Sequence, residues 1–344
     1  MMAGGFFNRG WYLLCIEQCD QIFQRFPEDK THLFIRVVIL KSRSFARLNR
    51  WEEAYQILAS FYQTHMHDNT VYAPLAAPYS FFVHDLVLMG KILLLKEEGK
   101  YHEAALAVEQ RIDMRLDRDD VNKFSREHLN VILPEEAAYW YCQAGEYDTA
   151  LARYGDILTY MDTHGPDDMW LQSRYMLYQY YIIPLEVAAC QLQAGQYDDA
   201  LQTYDAIATQ LSDRDIRERM FVTISMTIKP GVDTADIRTE ADLFAAYDIS
   251  ETYNEVITHY FMTIDLPLRR IECLIQSGDK TRASALLTSV ETLLQDENFV
   301  QMAATVMLEE HRHTKINQGP LVPDIAQLLP VTIPALRKEI EALD

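Results

Sequence analysis

An all-α fold, a solenoid of antiparallel helix hairpins, is what this sequence predicts, and three observations predict it. One phrase is written twice: Ala144-Gly145-Glu146-Tyr147-Asp148-Thr149-Ala150-Leu151-x-x-Tyr154 and Ala194-Gly195-Gln196-Tyr197-Asp198-Asp199-Ala200-Leu201-x-x-Tyr204. Its spacing recurs at other places along the chain, and repetition of this kind marks a stack of small structural units. With 344 residues and 49% hydrophobic content, the chain can bury a continuous core along such a stack without splitting into globular domains.

Each unit is read from its turn. A glycine supplies the left-handed backbone that ends one helix. An aromatic residue two positions on opens the next helix, a small residue three further on permits close helix approach, and the residue four beyond that lies one turn below on the same face. In chain order the copies are Gly10-x-Tyr12-x-x-Cys15-x-x-x-Cys19, closed by Pro27; Asn49-x-Trp51-x-x-Ala54-x-x-x-Leu58; Gly99-x-Tyr101-x-x-Ala104-x-x-x-Val108; the two phrases above; and a weaker Gly278-x-Lys280-x-x-Ala283-x-x-x-Leu287. Upstream of the turns, Ser42 and Phe45, Ala138 and Tyr141, and Ala188 hold the small and aromatic positions of a first helix. Ala3 and Phe6 read as the tail of such a helix, with the expectation that the starting methionine cuts into the first repeat and that an upstream segment is absent or naturally short.

Turn-to-turn intervals are 39, 50, 46, 50 and 83 residues. The helices are therefore long or separated by loops. Met169 to Gln193 suggests a long one, because Trp170, Leu177, Tyr178 and Tyr181 keep helical spacing well upstream of Pro184. Proline stands eleven residues before the turn glycine at Pro134, Pro184 and Pro267, where it either opens the first helix or kinks a longer one. The interval after Gly195 has room for about two repeats, one of them unreadable. Within it, Phe221 to Lys229 alternates Val222, Ile224, Met226 and Ile228 with Thr223, Ser225 and Thr227 before a Lys229-Pro230-Gly231 turn. That stretch reads as a β-prone loop that adds to a partner's sheet. The reading favoured over it is a degenerate helix or disordered loop, since a lone strand has no partner in this chain. The helical body is expected over 1–316 with an irregular insertion at about 212–250, and a proline-rich extension with a short helix over 317–344.

The net charge of −20 is unevenly spread: residues 1–50 hold eight Lys and Arg against four Asp and Glu, a net +4 that leaves −24 for the rest. Nucleic acid is thus no partner for the acidic body. Arg36, Arg43, Arg47 and Arg50 advance by seven, four and three residues, which stacks them on one helical stripe opposite Phe34, Val37, Val38 and Phe45. They are the candidate partner-binding residues, able to grip an acidic partner or an anionic membrane surface. The alternative is a solvated face balanced by the acidic body.

Five cysteines without a Cys-x-x-Cys read as small apolar core residues of a reduced, cytoplasmic protein. A redox pair at Cys15 and Cys19 lacks an activating charge nearby. No stretch reaches the ~18 apolar residues of a membrane span, and Glu17 and Asp20 interrupt the run that a secretory signal would need. Catalytic signatures such as Gly-x-x-x-x-Gly-Lys-Ser/Thr, Gly-x-Ser-x-Gly and His-Glu-x-x-His are missing. His65 with His67, and His311 with His313, point to different faces of a helix and lack a third ligand, so they read as surface residues rather than metal ligands. The 20 tyrosines are explained by packing before any ligand, and no cofactor is expected.

On these residues the chain resembles the tetratricopeptide repeat (TPR) family, specifically at Gly145 and Gly195 and more loosely elsewhere. The resemblance implies a right-handed TPR-like α-solenoid, with helices longer than the standard period of about 34 residues allows. TPR domains that hold the acidic tails of chaperones use a clamp of Lys, Asn and Arg. The matching positions here are Ile39 and Arg43, Met89 and Leu93, Glu135 and Tyr139, Leu185 and Ala189, and Leu268 and Glu272, so that role is disfavoured.

A narrower resemblance lies in order. Leu33-Phe34-Ile35-Arg36, Leu48-Asn49-Arg50-Trp51-Glu52-Glu53-Ala54 and Ala77-Pro78-Tyr79-Ser80-Phe81 come first. Trp170 and Arg174, Ala189-Cys190-x-Leu192, Tyr197-x-x-Ala200-Leu201 and Leu274-Ile275-Gln276-Ser277-Gly278-Asp279 with Val290-Glu291 follow. This series is similar to the TPR region of subunit 12 of the TRAPP vesicle-tethering complex, although the hairpin at Gly145 is extra and the insertion is unmatched. It implies a noncatalytic scaffold with other protein subunits as partners, acting in traffic between endoplasmic reticulum and Golgi or in autophagy. Such a protein is cytoplasmic and peripheral at those membranes through its complex. The reading beside it is a TPR adaptor or sensor domain that takes a peptide in another regulatory or assembly pathway.

Overall fold

A computed structural model describes residues 2–26, 32–65, 83–116, 128–164, 175–220, 226–228, 247–249, 259–301 and 328–343. The chain is all-α in class, with one small two-stranded ribbon, and divides into two compact units, Met1–Ile157 and Leu158–Asp344. The first unit holds α1 (Met2–Asn8), α2 (Tyr12–Arg25), α3 (His32–Arg47), α4 (Trp51–His65), α5 (Val83–Glu98), α6 (Tyr101–Leu116), α7 (Leu133–Gln143) and most of α8 (Tyr147–Thr163). The second holds α9 (Ile183–Gln193), α10 (Tyr197–Ser212), α11 (Arg214–Met220), the strands β1 (Met226–Ile228) and β2 (Tyr247–Ile249), then α12 (Leu266–Gln276), α13 (Lys280–Leu294) and α14 (Ile333–Glu341).

Among the described residues the backbone enters the left-handed region at Gly10, Asn49, Gly99, Gly145, Gly195 and Gly278, the six turn residues of the repeat. At Gly145 the N–H donates to the Cys142 carbonyl at 3.0 Å and the Glu146 N–H to the Tyr141 carbonyl at 2.9 Å. That pair of bonds satisfies carbonyls that the end of α7 leaves open, and the same pair closes the other five turns. The small residues that follow, Cys15, Ala54, Ala104, Ala150, Ala200 and Ala283, are all fully buried, and the residue one turn below each is buried. Close approach is visible in the first unit: the Ser42 hydroxyl donates to the Ala54 carbonyl at 2.6 Å. A Cβ on Gly90 would stand 3.1 Å from both Ile39 Cγ1 and Leu58 Cδ2.

The prolines stand inside longer helices rather than opening short ones. A π-helical turn, His128–Ile132, Tyr178–Ile182, Phe261–Asp265 or Leu328–Thr332, runs directly into α7, α9, α12 and α14. The residue before the proline donates to the carbonyl five back, Ile183 to Tyr178 and Leu266 to Phe261. Widening the turn makes room for a ring that would otherwise strike the carbonyl four back. The fourth such device, ahead of Pro334, lies in the proline-rich C-terminal segment, and Leu328, Ile333, Leu336 and Ile340 enter the core of the second unit with Leu287, Val290 and Leu294 of α13.

One expectation is corrected. A strand in the insertion does have a partner in this chain: Met226, Thr227 and Ile228 pair antiparallel with Ile249, Asp248 and Tyr247. The rest of Phe221 to Lys229 lies outside the described residues, as do Trp170, Pro27, His67, His311 and His313.

Candidate functional site

Helix α3 buries Ile35, Val38, Ser42 and Ala46 and turns its arginines outward. The structure brings Arg43 and Arg47 together on one carboxylate: Arg43 Nη2 and Nε reach Glu97 Oε1 at 2.5 and 2.8 Å, and Arg47 Nε lies 3.2 Å from Glu97 Oε2. The Arg43 guanidinium also stands 4.9 Å over the Phe7 ring, which ties α1 to α3 and α5. Arg50 turns instead to Glu53 at 2.5 Å and lies 4.4 Å over Phe45. The hydrogen bond from Arg50 holds the Glu53 carboxyl below its ordinary range. Arg36 stays exposed. Three of the four candidate arginines are thus paired with acids of the same unit, and two guanidiniums against one carboxylate leave a net positive charge at Arg43 and Arg47.

Neighbouring charges are held in the same way. Lys41 meets Asp20 at 2.5 Å between the rings of Phe23 and Phe45. Glu98 accepts from Tyr55 Oη at 2.8 Å and pairs with Lys100 at 2.6 Å. Burial opposes the Glu98 charge, but those hydrogen bonds outweigh it and hold the carboxyl low. Farther along the unit, Arg111 and Glu135 are buried. Lys96 sits 4.8 Å over the Trp140 ring, which stacks on Tyr101. Burial pushes the Glu136 carboxyl up against the pull of Arg111.

The second unit holds a polar group that sequence reasoning missed. Asp265, at the end of a π turn, is almost fully buried, and its Oδ2 accepts from Tyr181 Oη at 2.7 Å and from Arg269 Nε at 3.0 Å. Tyr260 is fully buried close by, and its hydroxyl has no hydrogen-bond partner among the described residues. Burial, then the charge of Asp265, push the Tyr260 and Tyr181 phenols up. The signal was present in the repeat frame: the position two before the proline is Ile132, Ile182 and Thr332 in the other copies, and Asp only here. Of the clamp positions, Glu135, Leu185 and Leu268 are buried and Arg43 is engaged with Glu97, so they do not assemble an open anion cradle.

All five cysteines are buried and free, and burial, with contact from Cys15, pushes the Cys19 thiol up, away from reactivity. Among the described residues no three His, Cys, Asp or Glu side chains gather as a metal site, and no helix is long and apolar enough to cross a membrane. Compared with known proteins, the chain matches no family model and no curated sequence.

Proposed function

We propose that this chain is a noncatalytic scaffold that binds other proteins through TPR-type helix hairpins, and that it serves as a subunit of a vesicle-tethering complex of the TRAPP type. The observation that carries the scaffold reading is the recurrence of one hairpin turn at Gly10, Asn49, Gly99, Gly145, Gly195 and Gly278, each followed five positions on by a buried small residue. Repeats of this kind present extended helical surface for partners rather than a single reactive cleft. The tether reading rests on the order of sequence motifs from Leu33 to Glu291, and it implies a cytoplasmic protein held at endoplasmic-reticulum and Golgi membranes by its complex. Arg36 and the net positive pair Arg43 and Arg47 are the contact offered to an acidic subunit.

Affinity purification of the tagged chain in mild salt tests this. A stable large complex containing small longin-type subunits is the expected result, and charge reversal of Arg36 and Arg47 should weaken it. A chain recovered alone as a monomer would remove the tether reading. Recovery of one partner through a short peptide segment would move the assignment to a peptide-binding adaptor.

A further inference from the structure

The repeat frame singles out one set of side chains that neither the core nor the scaffold reading uses. The third residue after the turn is Glu52, His102, Asp148, Asp198 and Thr281 in five copies, all polar and exposed, and the residue that follows each is polar as well. These are outer positions of the first helical turn, where acids favour the helix dipole. In the first copy the same two positions are Leu13 and Leu14, 66% and 46% exposed, and α2 has no acid in its first turn. The residue just after the turn glycine is polar in the other five copies, and here it is Trp11, 49% exposed. The core contact of α2 is made by Cys15 and Cys19, while Leu13 and Leu14 face outward and Trp11 keeps a tilted ring contact with Phe6.

The charge around this tip is positive. Arg9 is exposed and stands 5.5 Å over the Trp11 ring. Phe7 carries Arg43 on its face and packs edge-on to Tyr12, so the end of α3 that holds Arg43 and Arg47 lies beside the turn. Those two guanidiniums share the one carboxylate of Glu97 and leave a positive excess there. Glu17, one turn below Leu13, marks where the apolar tip ends.

We propose that the tip formed by Arg9, Trp11, Leu13 and Leu14 docks the protein on the surface of an anionic lipid bilayer. An exposed Trp with adjacent Leu and a cation is the composition that settles at the headgroup boundary. Three side chains are far fewer than the ~800 Å² per partner that a stable protein interface buries. Bilayer contact scales instead with whatever apolar area enters the boundary plus attraction to anionic headgroups, so a small tip gives weak, reversible docking. The contact is independent of the scaffold reading and would persist in the absence of any partner subunit.

The full chain is sedimented with vesicles of phosphatidylcholine and phosphatidylserine at three to one, and with phosphatidylcholine alone, while circular dichroism checks each variant's fold. Binding to the anionic vesicles is expected, falling with salt, with a loss of about tenfold in the Leu13→Ser/Leu14→Ser double variant and about fivefold in Arg9→Ala. The proposal is overturned if the wild type binds neither vesicle, if it binds both equally, or if the folded double variant binds as the wild type does. It is overturned as well if light scattering shows the Leu pair holding a dimer together while vesicle binding is absent, since the tip would then be a protein contact.

Discussion

Glu97 in the first unit and Asp265 in the second each accept from a guanidinium, yet their surroundings give the two carboxylates different work. Glu97 is shared by Arg43, partly exposed, and Arg47, about half-exposed, so water still reaches both cations. Asp265 lies almost wholly inside the second unit, its donors being Arg269 and the buried phenol of Tyr181. With Arg47 half in water, desolvation at Glu97 is less complete, and the pairing contributes less net stability than a fully enclosed one. Where the acceptor is deep, its charge has been taken out of water and the partners must stay matched. Glu97 is itself only 9% exposed and Arg43 and Arg269 reach water about equally, so what separates the two sites is the second donor, Arg47 half in water at Glu97 and the buried phenol of Tyr181 at Asp265.

The largest test of that contrast is Asp265→Ala, which leaves the Arg269 charge uncompensated and should cost about 3–5 kcal/mol in denaturant unfolding. A loss below ~1 kcal/mol would erase the contrast. The triple change Tyr181→Phe/Asp265→Ile/Arg269→Leu, which removes all three partners together and places the Ile found at Ile132 and Ile182, should recover most of that loss. Tyr181→Phe removes one donor and leaves Arg269 in place, for about 1–2 kcal/mol. Glu97→Gln in the first unit, which keeps a hydrogen-bond acceptor for Arg43, should cost less than Asp265→Ala, about 1–2 kcal/mol. That cost should shrink in high salt, whereas the cost of Asp265→Ala should not.

The smallest effect is a matter of sign. Burial pushes the Glu136 carboxyl up despite Arg111, so the folded state binds its proton more readily than the unfolded chain does. Its contribution to stability is therefore full below the unfolded value of about 4.3 and is lost as pH rises through the raised folded value. Glu136→Gln should be more stable than the wild type at neutral pH and equal to it in acid. Thermal unfolding across that range checks this, and a wild type that gains stability relative to Gln as pH rises would reverse the assignment.

The turns were legible because their cause is local. A left-handed residue must be Gly or Asn, and a small residue five positions on must sit against a neighbouring helix, so both can be read within one hairpin. The π turns were half legible: the prolines showed, but whether a helix stops at Pro184 or widens to pass it depends on whether Tyr181 and Ile182 are buried upstream. The arginine stripe was legible as geometry, but its pairing was not. Helical spacing put Arg43 and Arg47 side by side, but the carboxylate that occupies them is Glu97, on a helix one hairpin further along. The β1 partner was missed for a similar reason, because Tyr247–Ile249 is too short to register as a strand by alternation.

By itself the sequence determined what the backbone does within one hairpin: the six left-handed turns, the helices on either side, and which small residues go inside. Those outcomes depend on steric limits and apolar spacing over about ten residues, and such limits act the same way wherever the hairpin lies. Only the tertiary structure decided which charges are answered and which are left open. Pairing depends on distance between side chains far apart in the chain and on how much water remains between them, and neither is written in local spacing. That is why Glu97 and Asp265 could not be told apart in advance, and why Leu13 and Leu14, apolar at positions that the other copies keep polar, show as an outward-facing tip only once the frame is seen in three dimensions.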